Sequence, residues 1–386
     1  MKCLSTKATS IKPSGIRKFF DLASTMEGVI SLGVGEPDFA TPWHICENAI
    51  HYMSTGHTHY TANRGLLELR EEICKFHKEH YNQVYDPENE VIVTIGGSEA
   101  IDLCMRALLN PGDEVIVLDP NYVAYAPSVI LSDGVVVPLK LKEENDFKIL
   151  PEDLKKVITP KTKAMIINYP SNPTGGVMTK EDYAKIIDII KESGIYVISD
   201  EIYAELSFDQ LFASLAQFDE IKSQIIVVNG FSKAYAMTGW RLGYCMANKE
   251  LSSVMNKIHQ YVIMSAPVMS QYAGIEAIKN GYNDVLMMKE DYLKRRNFLV
   301  NRLNRMGLKT NMPHGTFYVF CNIQSTGLDS ETFCERLLQE QKVACVPGNA
   351  FGDSGEGYVR ISYAYSIDHI KEAVVRLEQF LKDLEN

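Results

Sequence analysis

The sequence predicts an α/β protein: a mostly parallel sheet with helices on both faces, joined to a smaller α+β part. From about Val91 to Asn248, short apolar runs alternate with amphipathic stretches, the pattern of strands and covering helices in a parallel sheet. Three residues able to carry chemistry, Asn172, Asp200 and Lys233, fall just beyond such runs, where ligands of open α/β sheets bind. After about Asp291 the alternation gives way to a long charged stretch, three short strand-like runs and a closing helix.

Val91-Ile92-Val93-Thr94 reads as the first strand, and Gly96-Gly97-Ser98-Glu99-Ala100 opens a helical run ending near Leu109. Val115-Ile116-Val117-Leu118 follows the Pro111-Gly112-Asp113 turn, and Val135-Val136-Val137 is a further strand. Ala164-Met165-Ile166-Ile167 is a buried strand that runs into a turn marked by Pro173 and Gly175. Thr179 is placed to N-cap a helix over Lys180 to Glu192. Tyr196-Val197-Ile198-Ser199 leads to Asp200, Ile225-Ile226-Val227-Val228 leads to Lys233, and Tyr244-Cys245-Met246-Ala247 is the last strand of the sheet. In the α+β part, a charged helix from Asp291 to Arg305 precedes strands at Phe317-Tyr318-Val319-Phe320, Val343-Ala344-Cys345-Val346 and Tyr358 to Tyr363. A helix from Asp368 to about Leu384 closes the chain.

The segment Gly230-Phe231-Ser232-Lys233, with Arg241 eight residues beyond the lysine, carries the strongest signal. A lysine at the end of a buried strand suits Schiff-base formation with an aldehyde. Ser232 and Arg241 suit an anion. A cofactor with both an aldehyde and a phosphate is pyridoxal 5'-phosphate, which also needs a carboxylate for its pyridine nitrogen. Asp200 supplies that carboxylate, since an opposite charge nearby favours the protonated ring. Asn172 is placed to hydrogen-bond the phenolic oxygen and a substrate carboxylate. Arg360 alternates with apolar neighbours in Gly357-Tyr358-Val359-Arg360-Ile361 and offers a planar fork for a carboxylate. Gly97 and Ser98 begin a helix, whose free N–H groups form a second phosphate support.

These segments, in this order, resemble the class I and II aminotransferases of PLP fold type I. The resemblance runs from Ser31-Leu32-Gly33-Val34-Gly35-Glu36-Pro37-Asp38-Phe39, through Tyr60-Thr61 and Gly65 to Arg70, to the Arg360 strand. It is closest to the subgroup with bacterial aspartate, aromatic and N-acetyl-diaminopimelate enzymes. It implies a mostly parallel seven-stranded sheet between helices. It also implies a large cofactor domain at 49–285 and a small domain from 1–48 and 286–386, with 1–48 folding back onto the latter.

Matched residue by residue, the resemblance makes Lys233 the cofactor lysine and the base that moves the substrate's α proton. Asp200 pairs with the pyridinium, and Tyr203 and Asn172 bond the phenolic oxygen. Tyr122 stacks on the ring, Ser232 and Arg241 bind phosphate, and Arg360 binds the α-carboxylate with Asn172 and the Gly35 backbone. Tyr60 reaches the neighbouring subunit's phosphate, which implies a homodimer with shared sites. The small domain is expected to close over bound substrate.

Substrate choice is less defined. The lysine that aspartate-preferring members often carry after the paired glycines is replaced by Ser98, followed by Glu99. Tyr60, Tyr122 and Tyr125, with Lys257-Ile258-His259-Gln260-Tyr261 and Ser265-Ala266-Pro267, suggest a roomy pocket for aromatic or varied side chains. Aspartate and N-acetyl-diaminopimelate stay open as amino donors, and a carbon–sulfur lyase on the same fold stays open as a reaction. The oxo-acid acceptor is expected to be 2-oxoglutarate or similar.

Composition narrows the field. At 386 residues the chain can bury a large core. Its hydrophobic fraction of 46% and charged fraction of 23% are ordinary for a globular protein. A net charge of -10 argues against nonspecific nucleic-acid binding. There is no run of eighteen apolar residues, which argues against a membrane span, and Met1 to Lys12 lacks the apolar core of a secretory signal. Eight cysteines without a C-x-x-C pair read as reduced thiols of a cytoplasmic protein. His57-Thr58-His59 and His77-Lys78-Glu79-His80 lack companion ligands, so no metal is expected. An aminotransferase-like transcription regulator would need a DNA-binding head, and the catalytic fold is expected to begin at about Ile16.

Overall fold

Seven strands form one sheet in this computed structural model, which describes residues 3–11 and 26–384. Lys12, Ile16 and the rest of 12–25 lie outside the described residues. The strands are β1 (Val91–Thr94), β2 (Glu114–Asp119), β3 (Val135–Lys140), β4 (Thr162–Asn168), β5 (Tyr196–Asp200), β6 (Ile225–Gly230) and β7 (Gly243–Met246). They lie in the order β1-β7-β6-β5-β4-β2-β3. β7 runs antiparallel to both its neighbours, and the β6-β5-β4-β2-β3 pairs are parallel. Successive residues of the central strands enter opposite cores. Ile116, Met165, Val197 and Val227 pack on one face, while Val117, Ile166, Ile198 and Val228 pack on the other. Both faces are therefore dry, which explains the continuous apolar runs of the parallel strands.

The chain direction reverses across the sheet between β2 and β4, since β3 lies outside β2 while β5 and β6 follow on the other side of β4. The loops after these strands diverge there and leave a crevice at their carboxyl ends. A second sheet, of β8 (Tyr318–Asn322), β9 (Val346–Pro347) and β10 (Tyr358–Ser362), is antiparallel with β10 in the middle. It has its own core, in which Leu32, Leu299, Phe333, Ile361 and Phe380 take part.

Several elements depart from the sequence reading. The helix expected over 180–192 is two helices, Lys180–Ala184 and Ile187–Ser193. The Lys185 and Ile186 N–H groups bond three residues back, to Asp182 and Tyr183, which tightens the turn. The turn also buries Ile186 and Ile187 together. The run Val343–Val346 serves two sheets: Val343–Ala344 pairs in parallel with Ile30–Ser31, and β9 pairs with β10. The charged helix starts earlier, spanning Tyr282–Arg305, because buried Val285 and Met288 extend its apolar side beyond the charged stretch. The helix Trp43–Ser54 crosses the expected boundary at 48/49, and its Ile45 and Ala49 join the large-sheet core. Among the described residues, no helix is long and apolar enough to cross a membrane.

Candidate active site

A cavity of about 550 Å³ opens at the carboxyl ends of the parallel strands. Its floor comes from loops after β4, β5 and β6, which contribute Asn172, Asp200, Tyr203, Ser232 and Lys233. Gly97 and Ser98 enter from the helix Gly96–Leu108 after β1, Tyr122 from the loop after β2, and Arg241 from the segment before β7. The opposite wall carries Gly35 and Arg360. Eleven of the twelve residues singled out in the sequence thus meet in one place.

Asp200 ends β5 and is buried. The Tyr125 hydroxyl donates to its Oδ2 at 2.6 Å and the Ile202 N–H to its Oδ1 at 3.2 Å. Burial pushes its pKa up to about 6, against those two hydrogen bonds and the Lys233 charge. β4 and β5 align Asn168 with Asp200. The Asn168 amide donates to the Asp200 carbonyl at 2.9 Å, while its own carbonyl accepts the Asn172 N–H at 2.9 Å. One side chain thus locks the Asn172 turn to the Asp200 strand.

The Lys233 ammonium donates to the Gly35 carbonyl at 2.5 Å. Burial is the main cause that lowers its pKa to about 8. Arg360 and Arg241 push the same way, and Glu36 and Asp200 oppose them. Gly35 has no room for a side chain, since a Cβ there would lie 2.1 Å from the Tyr318 hydroxyl. That hydroxyl shares a 3.0 Å hydrogen bond with Tyr203, whose phenol is pushed well above its usual pKa by burial.

Arg360 is at the centre of β10 and buried. Its Nη1 donates to Asn172 Oδ1 at 2.9 Å and its Nη2 to the Gly33 carbonyl at 2.6 Å. The Tyr318 and Phe351 rings flank the guanidinium, with centroids 4.2 and 4.7 Å from Cζ. Its Nε is buried with no hydrogen-bond partner.

The far end of the pocket suits an anion. The first N–H groups of a helix have no partner within it and point outward, and Gly97 and Ser98 occupy that turn. Gly96 has φ +71, and a Cβ there would meet Arg241 Nη2 at 2.7 Å, so glycine lets the guanidinium lie against the helix start. The Arg241 Nη1 donates to the Thr238 carbonyl at 3.0 Å, and Ser232 is buried beside Lys233 in sequence.

The residues fit pyridoxal 5'-phosphate by the chemistry of the donor set. An anion cradle lies at one end, a buried carboxylate stands ready for a cationic nitrogen, a lysine of lowered pKa suits an aldehyde, and the Arg360 Nε is an orphaned donor on the substrate side.

Tyr60 is the residue that the pocket does not include; it is 84% exposed. The segment Lys257–Tyr261 does not line this chain's pocket either. Its His259 is buried between Glu99 Oε1 at 2.6 Å and the Asn63 carbonyl at 2.9 Å. Sequence reasoning passed over Asn168, whose position at the end of β4 was the available signal. It also passed over Tyr318 and Phe351, which have no local motif.

This arrangement defines a fold type I pyridoxal-phosphate enzyme. The family model of class I and II aminotransferases matches residues 27–377, and the chain belongs to that family: it is a pyridoxal 5'-phosphate-dependent aminotransferase. YugH of Bacillus subtilis (strain 168), a candidate aminotransferase, is 50% identical over 98% of both chains. The aspartate aminotransferase of Pyrococcus abyssi is 44% identical, also over 98% of both chains. The crystal structure of an aromatic aminotransferase from Pyrococcus horikoshii superposes with a TM-score of 0.91 at 43% identity, covering 96% of this chain and 99% of that one.

Proposed function

We propose that the enzyme takes its amino group from amino acids with aromatic or other uncharged side chains and passes it to a 2-oxo acid such as 2-oxoglutarate. One observation carries the substrate class. The cations lining the pocket are Lys233, Arg241 and Arg360. These serve, in turn, the cofactor aldehyde, the phosphate and the α-carboxylate. Among the described residues none is left for the side-chain carboxylate of aspartate, and Glu36 adds a negative charge to the lining. An unpaired carboxylate taken out of water is costly.

Bound pyridoxal 5'-phosphate supplies a carbonyl for the substrate amine and a sink for electrons. The chain's own residues do the rest. Asp200 holds the pyridine nitrogen protonated. Tyr203 and Asn172 would hydrogen-bond the phenolic oxygen, and Tyr122 would hold the ring. Ser232, Arg241 and the Gly97 and Ser98 N–H groups hold phosphate. Arg360, with Asn172 and the Gly35 backbone, fixes the carboxylate and so orients the Cα–H bond. Lys233, at its lowered pKa, is suited to accept the α proton near neutral pH. Closure of a small domain, built from 1–48 and 286–386, over the 49–285 domain excludes water from that transfer.

The working unit is a cytoplasmic homodimer in which Tyr60 serves the partner's phosphate site; its exposure on one chain supports this. The test is the ratio of kcat/KM for phenylalanine over aspartate with 2-oxoglutarate as acceptor. A ratio above about ten, or 1.4 kcal/mol, is expected; a preference for aspartate overturns the substrate class.

A further inference from the structure

The end of β2 makes a contact that the assigned roles do not use. Asp119 is its last residue and is buried, yet it is not among the residues that line the pocket. Its carboxylate turns toward the loop that precedes β10. The Ser354 hydroxyl donates to Asp119 Oδ2 at 2.9 Å, and the Ser354 N–H approaches both oxygens at 3.2 and 3.3 Å. Gly352 makes this approach possible: a Cβ there would lie 2.1 Å from Asp119 Oδ1. Two residues on, the Asn121 N–H donates to the Phe351 carbonyl at 2.9 Å. A short turn of the large sheet therefore grips residues 351–354 at three points.

That loop is next to the carboxylate site. Phe351 is buried, and its ring covers one face of the Arg360 guanidinium at 4.7 Å from the centroid. The Tyr318 ring centroid lies 4.2 Å from the same guanidinium carbon. A planar guanidinium held between two rings keeps its fork in one orientation. If the 351–354 loop shifts, one wall of this slot shifts with it. The same turn also carries Tyr122 into the pocket, so the ring-packing tyrosine and the loop behind Arg360 share one anchor.

We propose that Asp119 is a positioning residue that, by holding Ser354 and Gly352, fixes Phe351 against Arg360 and thereby sets the enzyme's affinity for the substrate carboxylate. This rests on the reading that Arg360 binds that carboxylate.

The test uses holoenzyme and two unreactive acids, 3-phenylpropionate and succinate, with binding measured by calorimetry on the wild type and on Asp119→Ala, Asp119→Asn and Ser354→Ala. Whichever acid binds the wild type more tightly reports the substrate class. The ratio of variant to wild type for that acid reports the role of Asp119, so the two readings fail separately. Asp119→Ala is expected to weaken binding about tenfold or more, the worth of hydrogen bonds to a charged group. Asp119→Asn, which keeps one acceptor, should recover part of it. Ser354→Ala, on a half-buried loop position, should weaken it about threefold. In turnover the loss should fall in KM, with kcat and cofactor affinity changed by less than about twofold. Unchanged acid binding in Ser354→Ala and in any Asp119 variant that folds would overturn the proposal. So would an equal loss of cofactor and acid affinity in Ser354→Ala, which marks a general structural effect. Binding of neither acid to the wild type would remove Arg360 as a carboxylate site, and the proposal with it.

Discussion

Asp200 and Arg360 line one pocket but are held there by different kinds of contact. Asp200 ends a central strand of a sheet buried on both faces, and its carboxylate is fixed by Tyr125 and by an N–H two residues on. Arg360 stands on the smaller sheet and is fixed by the Gly33 carbonyl and Asn172, both remote in sequence, and by the Tyr318 and Phe351 rings. The first wall is a rigid floor that sets proton positions and pKa values. The second is an assembled clamp whose geometry depends on how the smaller sheet sits against the large one. Chemistry is thus expected to be lost through the floor, and substrate affinity through the clamp.

Substitutions can break or sharpen that contrast. Lys233→Ala should abolish turnover, since no other lysine among the described residues lines the pocket; near-normal transamination by purified variant would refute the role given to it. Asp200→Ala removes a buried charged partner, a change of around 3–5 kcal/mol, or about three orders of magnitude. It should appear in kcat under saturating substrate, and a variant altered only in KM would erase the distinction between floor and clamp. Arg360→Lys keeps the charge but loses the planar fork. A loss of roughly 2–5 kcal/mol, about thirtyfold or more in kcat/KM, is expected mainly as a raised KM. An equal fall in kcat with KM unchanged would mean that Arg360 acts in the chemistry itself.

The smallest effect concerns pH. The pKa of Lys233 is lowered to about 8, chiefly by burial. The nucleophilic neutral amine is therefore the main form above pH 8 and becomes scarce below it, by about tenfold per unit. Stopped-flow uptake of pyridoxal 5'-phosphate by cofactor-free enzyme should accelerate with pH through a midpoint near 8 and level off above it. A midpoint near the ordinary lysine value would show that the floor does not tune this amine. Asp200, raised to about 6 by its burial, titrates below the Lys233 midpoint and is mostly charged above pH 7, so it should not contribute to the rise around 8.

The same contrast governs what the sequence made legible. The floor is written in short stretches: an apolar run, then Asn172, Asp200 or Lys233 within a few residues. The parallel-sheet rule and the motif order agreed on it. The runs holding Ile116, Val117, Ile166 and Val197 read as buried strands, but which face each residue takes came only from the structure. The clamp is written across 327 residues, from Gly33 to Arg360. Arg360 itself stood out, but the rings that hold it did not, because Tyr318 and Phe351 lie in runs that read as ordinary core. Asn168 and Tyr125 show a similar gap, as each gains its meaning only when β4, β5 and the loop after β2 come together. The broken helix at Lys185–Ile186 and the divided run at Val343–Val346 were hidden for a related reason. Burial of both Ile186 and Ile187 sets the first and pairing with two different strands sets the second, and a linear hydrophobic pattern does not record those contacts.

The most direct measurement is a single half-reaction. Enzyme loaded with cofactor is mixed with one amino acid at a time, without any oxo acid, and the visible absorbance is followed together with the products released. The account predicts that phenylalanine and tyrosine bleach the band faster than aspartate or N-acetyl-diaminopimelate, with one equivalent of the matching 2-oxo acid formed and no ammonia. A band that persists while ammonia and an oxo acid accumulate would instead mark a lyase and contradict the account.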